Sequence, residues 1–118
     1  MAIQIRQQLT ATPNPTALPS QVDFRQTLRS SQDGESITLE YRLAADHDVW
    51  FKGDDGQPTK SVRRSATIPL TDTVRLDQLV LQVRPPGLGP MDMVEIDQTI
   101  TDAAGIRIPD SCVLRLLH

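Results

Sequence analysis

Alternation of apolar and polar residues with a period of two is the feature that most restricts what this chain can fold into. It is clearest over residues 36–44, SITLEYRLA, where Ile37, Leu39, Tyr41 and Leu43 share one parity and Thr38, Glu40 and Arg42 take the other. Successive side chains of an extended strand point to opposite faces, so the stretch has one face for a core and one for water. The pattern recurs. In IQIRQQLTA it groups Ile3, Ile5, Leu9 and Ala11, with Gln7 the exception; in QVDFRQTL it groups Val22, Phe24 and Leu28. DVWFK sets Val49 and Phe51 against Trp50, and KSVRRSATIPL aligns Val62, Ala66, Ile68 and Leu70 with Arg64 out of character. MVEIDQTI aligns Val94, Ile96 and Ile100, and the C-terminal segment aligns Ile106 and Ile108, then Cys112, Leu114 and Leu116.

One segment breaks phase. Val74 and Leu76 fall on even positions, but Leu79, Leu81 and Val83 fall on odd ones. The slip predicts a short helical turn over 72–78 leading into a strand at 79–84, with a β-bulge as the other explanation. A second short turn is expected at 100–104, before Gly105. The punctuation fits short strands. SSQDGES and GDDGQP each carry Asp-Gly, a strong hairpin signal. TPNPTALPS, with Pro13, Pro15 and Pro19, reads as an edge, a strand switch or a loop, because proline cannot donate to a ladder. RPPGLGP reads as a loop.

Seven or eight short strands with at most one or two helical turns predict an all-β fold, a two-layer antiparallel β-sandwich of immunoglobulin-like or jelly-roll-like type. In strand count and length the pattern resembles an immunoglobulin-like sandwich, without the disulfide of antibody domains, since Cys112 is the sole cysteine. A length of 118 residues with no internal repeat is read as one domain over 1–118.

The net charge of −3, with mixed signs, provides no basic footprint for nucleic acid and no polybasic membrane patch. Lys60, Arg63 and Arg64 are the one local cationic excess and read as a solvated strand face. No apolar run has the length of a membrane span, and the N-terminus lacks the apolar stretch of a signal peptide. Cytoplasmic synthesis without a signal peptide is the expectation, compatible with a particle assembled in the cytosol.

The stretch AADHDVWFKGDDGQ concentrates Asp46, Asp48, Asp54 and Asp55 around Trp50. Hard cations such as Ca²⁺ take six to eight oxygen ligands, which loops provide from carboxylates and carbonyls. The spacing Asp46-x-Asp48-x5-Asp54 resembles one calcium loop of a C2 domain, itself an eight-stranded sandwich. That resemblance implies an earlier loop as well, for which Asp23 and Asp33 are the candidates. The competing reading makes DVWFK a strand, which sets Asp48 and Asp54 roughly 20 Å apart, and leaves the aspartates to turns. Trp50 is either core packing or an exposed platform for a carbohydrate or a protein partner. Catalytic chemistry has little support. The histidines are His47 and His118, nothing places either beside Cys112, and Cys112 reads as a small core hydrophobe. A carboxylate pair such as Glu35 and Glu40 is the remaining catalytic option. The expectation is a non-catalytic interaction or assembly module, a subunit or adaptor of a larger structure, whose partner is another protein or itself as a homo-oligomer. The alternative is a small-ligand-binding sandwich that recognises carbohydrate or Ca²⁺ through residues 46–55.

Overall fold

A computed structural model of the chain describes residues 3–44, 49–69, 73–83 and 93–117. Among these residues there is no helix. Ten strands follow one another: β1 (Ile3–Thr12), β2 (Thr16–Ala17), β3 (Ser20–Ser30), β4 (Glu35–Arg42), β5 (Val49–Lys52), β6 (Pro58–Thr59), β7 (Ser61–Ile68), β8 (Thr73–Val83), β9 (Met93–Thr101) and β10 (Arg107–Leu117). Two of them, β2 and β6, are two-residue bridges, which leaves the eight longer strands that alternation marks out. They form two five-stranded sheets. The first has the order β1-β3-β8-β5-β6 and the second β2-β10-β9-β4-β7. All pairings are antiparallel except β2 with β10, which is parallel.

The inner parities of both sheets meet in one apolar cluster. Val22, Phe24 and Leu28 come from β3, Val49 and Phe51 from β5, and Leu79 and Leu81 from β8. From the other sheet come Ile37, Leu39 and Tyr41 of β4, Val94, Ile96 and Ile100 of β9, and Leu114 and Leu116 of β10. Phe24 and Tyr41 join the two layers with ring centroids 5.4 Å apart. The shortest principal dimension, 19 Å, accommodates two sheets at their usual spacing of about 10 Å. Ile106, which alternation grouped with Ile108, is 54% exposed, because it closes a turn instead of lying within the strand.

Several local expectations resolve differently from the sequence reading. The helical turn over 72–78 is absent: β8 runs from Thr73 to Val83 and its ladder to β3 has no register shift. Its pairing from Leu28↔Thr73 to Ser20↔Leu81 supplies backbone partners across the phase slip, and that outweighs the local break in apolar phase. The Asp-Gly of SSQDGES does not close a hairpin. Gly34 takes a φ of 74° at a corner that sends the chain from β3 in one sheet to β4 in the other. The second Asp-Gly does close a hairpin, β5–β6, with Gly53 N–H donating to Gln57 O and Gly56 at φ 82°. The turn expected at 100–104 is the same three-residue type shifted to 102–106. Asp102 N–H donates to Ile106 O, and Gly105 has a φ of 86°. The proline-rich stretch is a strand switch: between β1 and β3 of the first sheet the chain crosses to add β2 to the second. The RPPGLGP loop lies outside the described residues.

Buried polar groups tie the sheets together. Gln26 of β3 and Gln98 of β9 face each other through reciprocal amide hydrogen bonds of 2.6 and 2.8 Å. Gln26 Nε2 also donates to Asp110 Oδ2 on β10, and the same oxygen accepts Leu9 N–H from β1. At one end of the molecule Glu35 Oε1 accepts from Ser30 Oγ while Oε2 accepts the N–H of Ala103. Asp102 Oδ1 accepts the N–H groups of Ala104 and Ile106. β1 bulges on both sides of Gln7, the residue that breaks its alternation, and Gln7 Oε1 accepts from Thr27 Oγ1.

Candidate functional site

The second sheet has its polar parity outward, and antiparallel register turns that parity into rows. Ser65, Thr38, Thr101 and Arg107 lie side by side across β7, β4, β9 and β10; Arg63, Glu40, Thr99 and Pro109 form the next row; Ser61, Arg42, Asp97 and Ser111 the third. The middle of these rows forms a shallow depression of about 620 Å³, lined by Thr38, Glu40, Arg42, Arg63, Thr99, Thr101, Arg107 and Pro109. Pro109 sits in β10 without breaking the sheet, at a position where its missing N–H is tolerated beside the edge.

Three arginines face one glutamate in this depression. Glu40 accepts from Arg42 Nη2 at 2.6 Å and from Arg63 Nη2 at 3.0 Å. The hydrogen bond from Arg63, then that from Arg42, hold the Glu40 carboxyl below its usual range. Arg107 is exposed, has no acidic partner among the described residues, and shares the lining of the depression with Thr38 and Thr101. Five fixed N–H donors on a planar group suit a carboxylate or another oxyanion. Further along the same face the sign reverses. Glu95 and Asp97 are neighbours on β9, and their mutual hydrogen bond and charge push the Glu95 carboxyl above its ordinary value. An apolar end follows, where Met93, Val113 and Leu117 are each about half exposed.

Of the aspartates proposed for a metal, Asp46 and Asp48 lie outside the described residues. Asp54 and Asp55 sit in the β5–β6 turn, beyond the far end of an extended β5. The Asp54 carboxylate lies 3.4 Å from Arg64, and Asp55 Oδ1 accepts Gln57 N–H, so both have turn and surface partners. Among the described residues no three His, Cys, Asp or Glu side chains gather as a metal cluster. Asp23 lies on β3 and Asp33 in the β3–β4 corner. Trp50 is half-buried, and the Lys60 ammonium lies 4.0 Å from its ring centroid while donating to Val49 O. One face of the indole is thus already engaged by a cation. Lys60, Arg63 and Arg64 each have a partner within the chain.

The chemistry of the remaining groups is quiet. Cys112 packs against the core from its rim, and burial, then the charges of Asp110 and Glu95, push its thiol up to about 12. A thiol held protonated is a poor nucleophile. Glu35 and Glu40 do not form a pair: Glu35 is buried beside Ser30 on the inner parity of β4, and Glu40 points outward. The residues that sequence reasoning missed are Arg42, Arg107, Thr38, Thr99 and Thr101. Each is an ordinary polar member of an alternating strand, and only the sheet order brings them together.

No family model matches the chain, and no curated protein matches it. Among solved structures, the sporulation control protein Spo0M from Bacillus subtilis superposes with a TM-score of 0.61 at 13% identity, over all of this chain and half of that one. The chain thus spans half the length of that protein and shares its β fold. A conjugative transposon lipoprotein from Bacteroides eggerthii aligns over 95% of this chain and 93% of its own, with a TM-score of 0.46 and 13% identity.

Proposed function

We propose that the chain is a non-catalytic β-sandwich interaction module, a subunit or adaptor of a larger structure, which holds a protein partner against the outer face of its second sheet. The observation that carries this reading is the arginine–threonine depression. It is broad and shallow, as protein-binding faces are, and it sets three arginines against one glutamate on a chain whose net charge is −3. Arg107, with no internal partner among the described residues, is the group left to meet a partner's carboxylate. Arginine is enriched at the energetic centres of interfaces, and its fork discriminates a carboxylate better than a lysine does. The protonated thiol of Cys112 and the internal pairing of Glu40 favour binding over catalysis.

The test is an amide-shift titration with an extended peptide rich in aspartate and glutamate. Shifts should concentrate on Thr38, Thr99, Thr101 and Arg107 and fade as salt is added. Shifts scattered over both sheets, or confined to the β5–β6 turn, would refute the assignment of this face.

A further inference from the structure

The sheet edges are not equally protected. The outward edge of β10 is covered by β2 at Leu116 and Leu117 and by the amide of Asn14, which donates to Val113 O and accepts Arg115 N–H. Asn14 thereby stands in for a paired residue. β1 is bulged and donates Leu9 N–H to Asp110. On β7 the backbone direction is fixed by Leu43 N–H donating to Lys60 O, with an unbroken register to β4 from Arg42↔Ser61 to Glu35↔Ile68. Even-numbered residues therefore face β4, and the N–H and C=O groups of Ser61, Arg63, Ser65 and Thr67 point away. Thr59 Oγ1 covers the N–H and C=O of Ser61, and Arg64 Nη1 covers Arg63 O. Among the described residues nothing reaches the outward groups of Ser65 and Thr67. Unpaired edges template strand addition, and proteins blunt those they do not use.

We propose that this open segment of β7 pairs with the same segment of a second copy, antiparallel about Ala66. The register is self-complementary. Ser65 of one copy and Thr67 of the other exchange both hydrogen bonds, and so does the symmetric pair. Arg63 then falls opposite Pro69, which has no N–H to give, and Arg63 O needs none because Arg64 already covers it. Arg63 and Arg64 do not meet their symmetry mates, and the two Ala66 side chains permit the close approach of a non-hydrogen-bonded pair. The second sheets of the two copies become one sheet of ten strands. This deepens the interaction-module reading by naming one partner, and it is separable from the arginine face because different residues carry it.

Two variants test it. Thr67→Pro removes an outward N–H and leaves the ladder to β4 untouched. Sedimentation equilibrium should show wild-type dimers and, for this variant at unchanged far-ultraviolet dichroism, about tenfold or weaker association, two bonds per dimer being lost. In a Cys112→Ser background, Ala66→Cys should oxidise to a covalent dimer, since the Cα separation of about 4.5 Å across the axis suits a disulfide. Ser61→Cys, at the far end of the strand, should not. If Thr67→Pro does not fold, the cysteine pair decides. A strictly monomeric wild type at millimolar concentration overturns the proposal. A dimer indifferent to Thr67→Pro, or equal crosslinking of Ala66→Cys and Ser61→Cys, also overturns it. An Arg107→Glu variant that loses peptide binding but still dimerises separates the two readings.

Discussion

Replacing Gln98 with leucine tests how the two sheets are held in register. Gln98 is 1% exposed, and its amide exchanges hydrogen bonds of 2.6 and 2.8 Å with Gln26, 72 residues away on the opposite sheet. Leucine is slightly larger than glutamine, so no cavity arises. The main loss comes from Gln26, which keeps its bond to Asp110 but is left with a buried Oε1 and one N–H unpaired, while Tyr41 Oη loses the 3.4 Å bond it accepted from Gln98. A buried unsatisfied group costs about 1–3 kcal/mol, and two on one amide relax together, so the expected cost is about 2–4 kcal/mol. Gln26→Leu should cost at least as much, because it also takes a donor from Asp110 Oδ2. The double variant removes both partners. Asp110 Oδ2 and Tyr41 Oη are then each short of one donor; Asp110 still accepts Leu9 N–H and the Tyr41 bond was long at 3.4 Å, so the cost should be about 1 kcal/mol. Urea unfolding of the four proteins gives the cycle, with a coupling of about 3 kcal/mol or more that offsets the single losses. Single losses under about 0.5 kcal/mol, or a double loss equal to their sum, would refute the argument that this amide pair is a closed, desolvated bridge.

Two further outcomes follow from the titrating groups. Cys112 should resist alkylation at pH 8 in the folded protein and react at once in urea. Its folded thiol titrates near 12 against an ordinary value of 9, so the unfolded chain ionises first and stability should fall as pH rises from 9 towards 12. Equal alkylation rates in folded and unfolded protein would contradict this. Glu40 has the opposite sign. Its lowered folded value means that the contribution of its arginine pairs is present above the unfolded carboxylate value and is lost as pH falls through the folded one. Because both arginines are well exposed, Glu40→Gln should cost no more than about 1 kcal/mol at neutral pH. A larger loss in thermal melts would mean that the pairs are far less screened than their exposure implies.

Alternation made the all-β class and the eight longer strands legible because each strand has one buried face. It also carried an unused clue. Gln26 falls on the parity of Val22, Phe24 and Leu28, and Gln98 on that of Val94, Ile96 and Ile100, so each is a polar residue on an apolar face. Two such exceptions are natural partners for each other. Sheet membership was not legible. Asp-Gly makes a hairpin at 55–56 and a corner between sheets at 33–34, and local turn chemistry is the same in both. The phase slip in β8 misled because ladder pairing with β3 overrides local patterning there. Arg107 could not be singled out either. Its distinction is its place in the depression, whose lining is drawn from three other strands besides its own.

The outer face of the second sheet is the surface on which the functional reading depends, and an Arg107→Glu exchange tests it most directly. Fluorescence anisotropy of a labelled acidic peptide should give saturable, salt-sensitive binding to the wild-type protein. The exchange should weaken it by about tenfold or more, since one desolvated arginine at an interface centre contributes about 2 kcal/mol, while the melting temperature stays unchanged. Binding of equal strength by the two proteins would contradict the account.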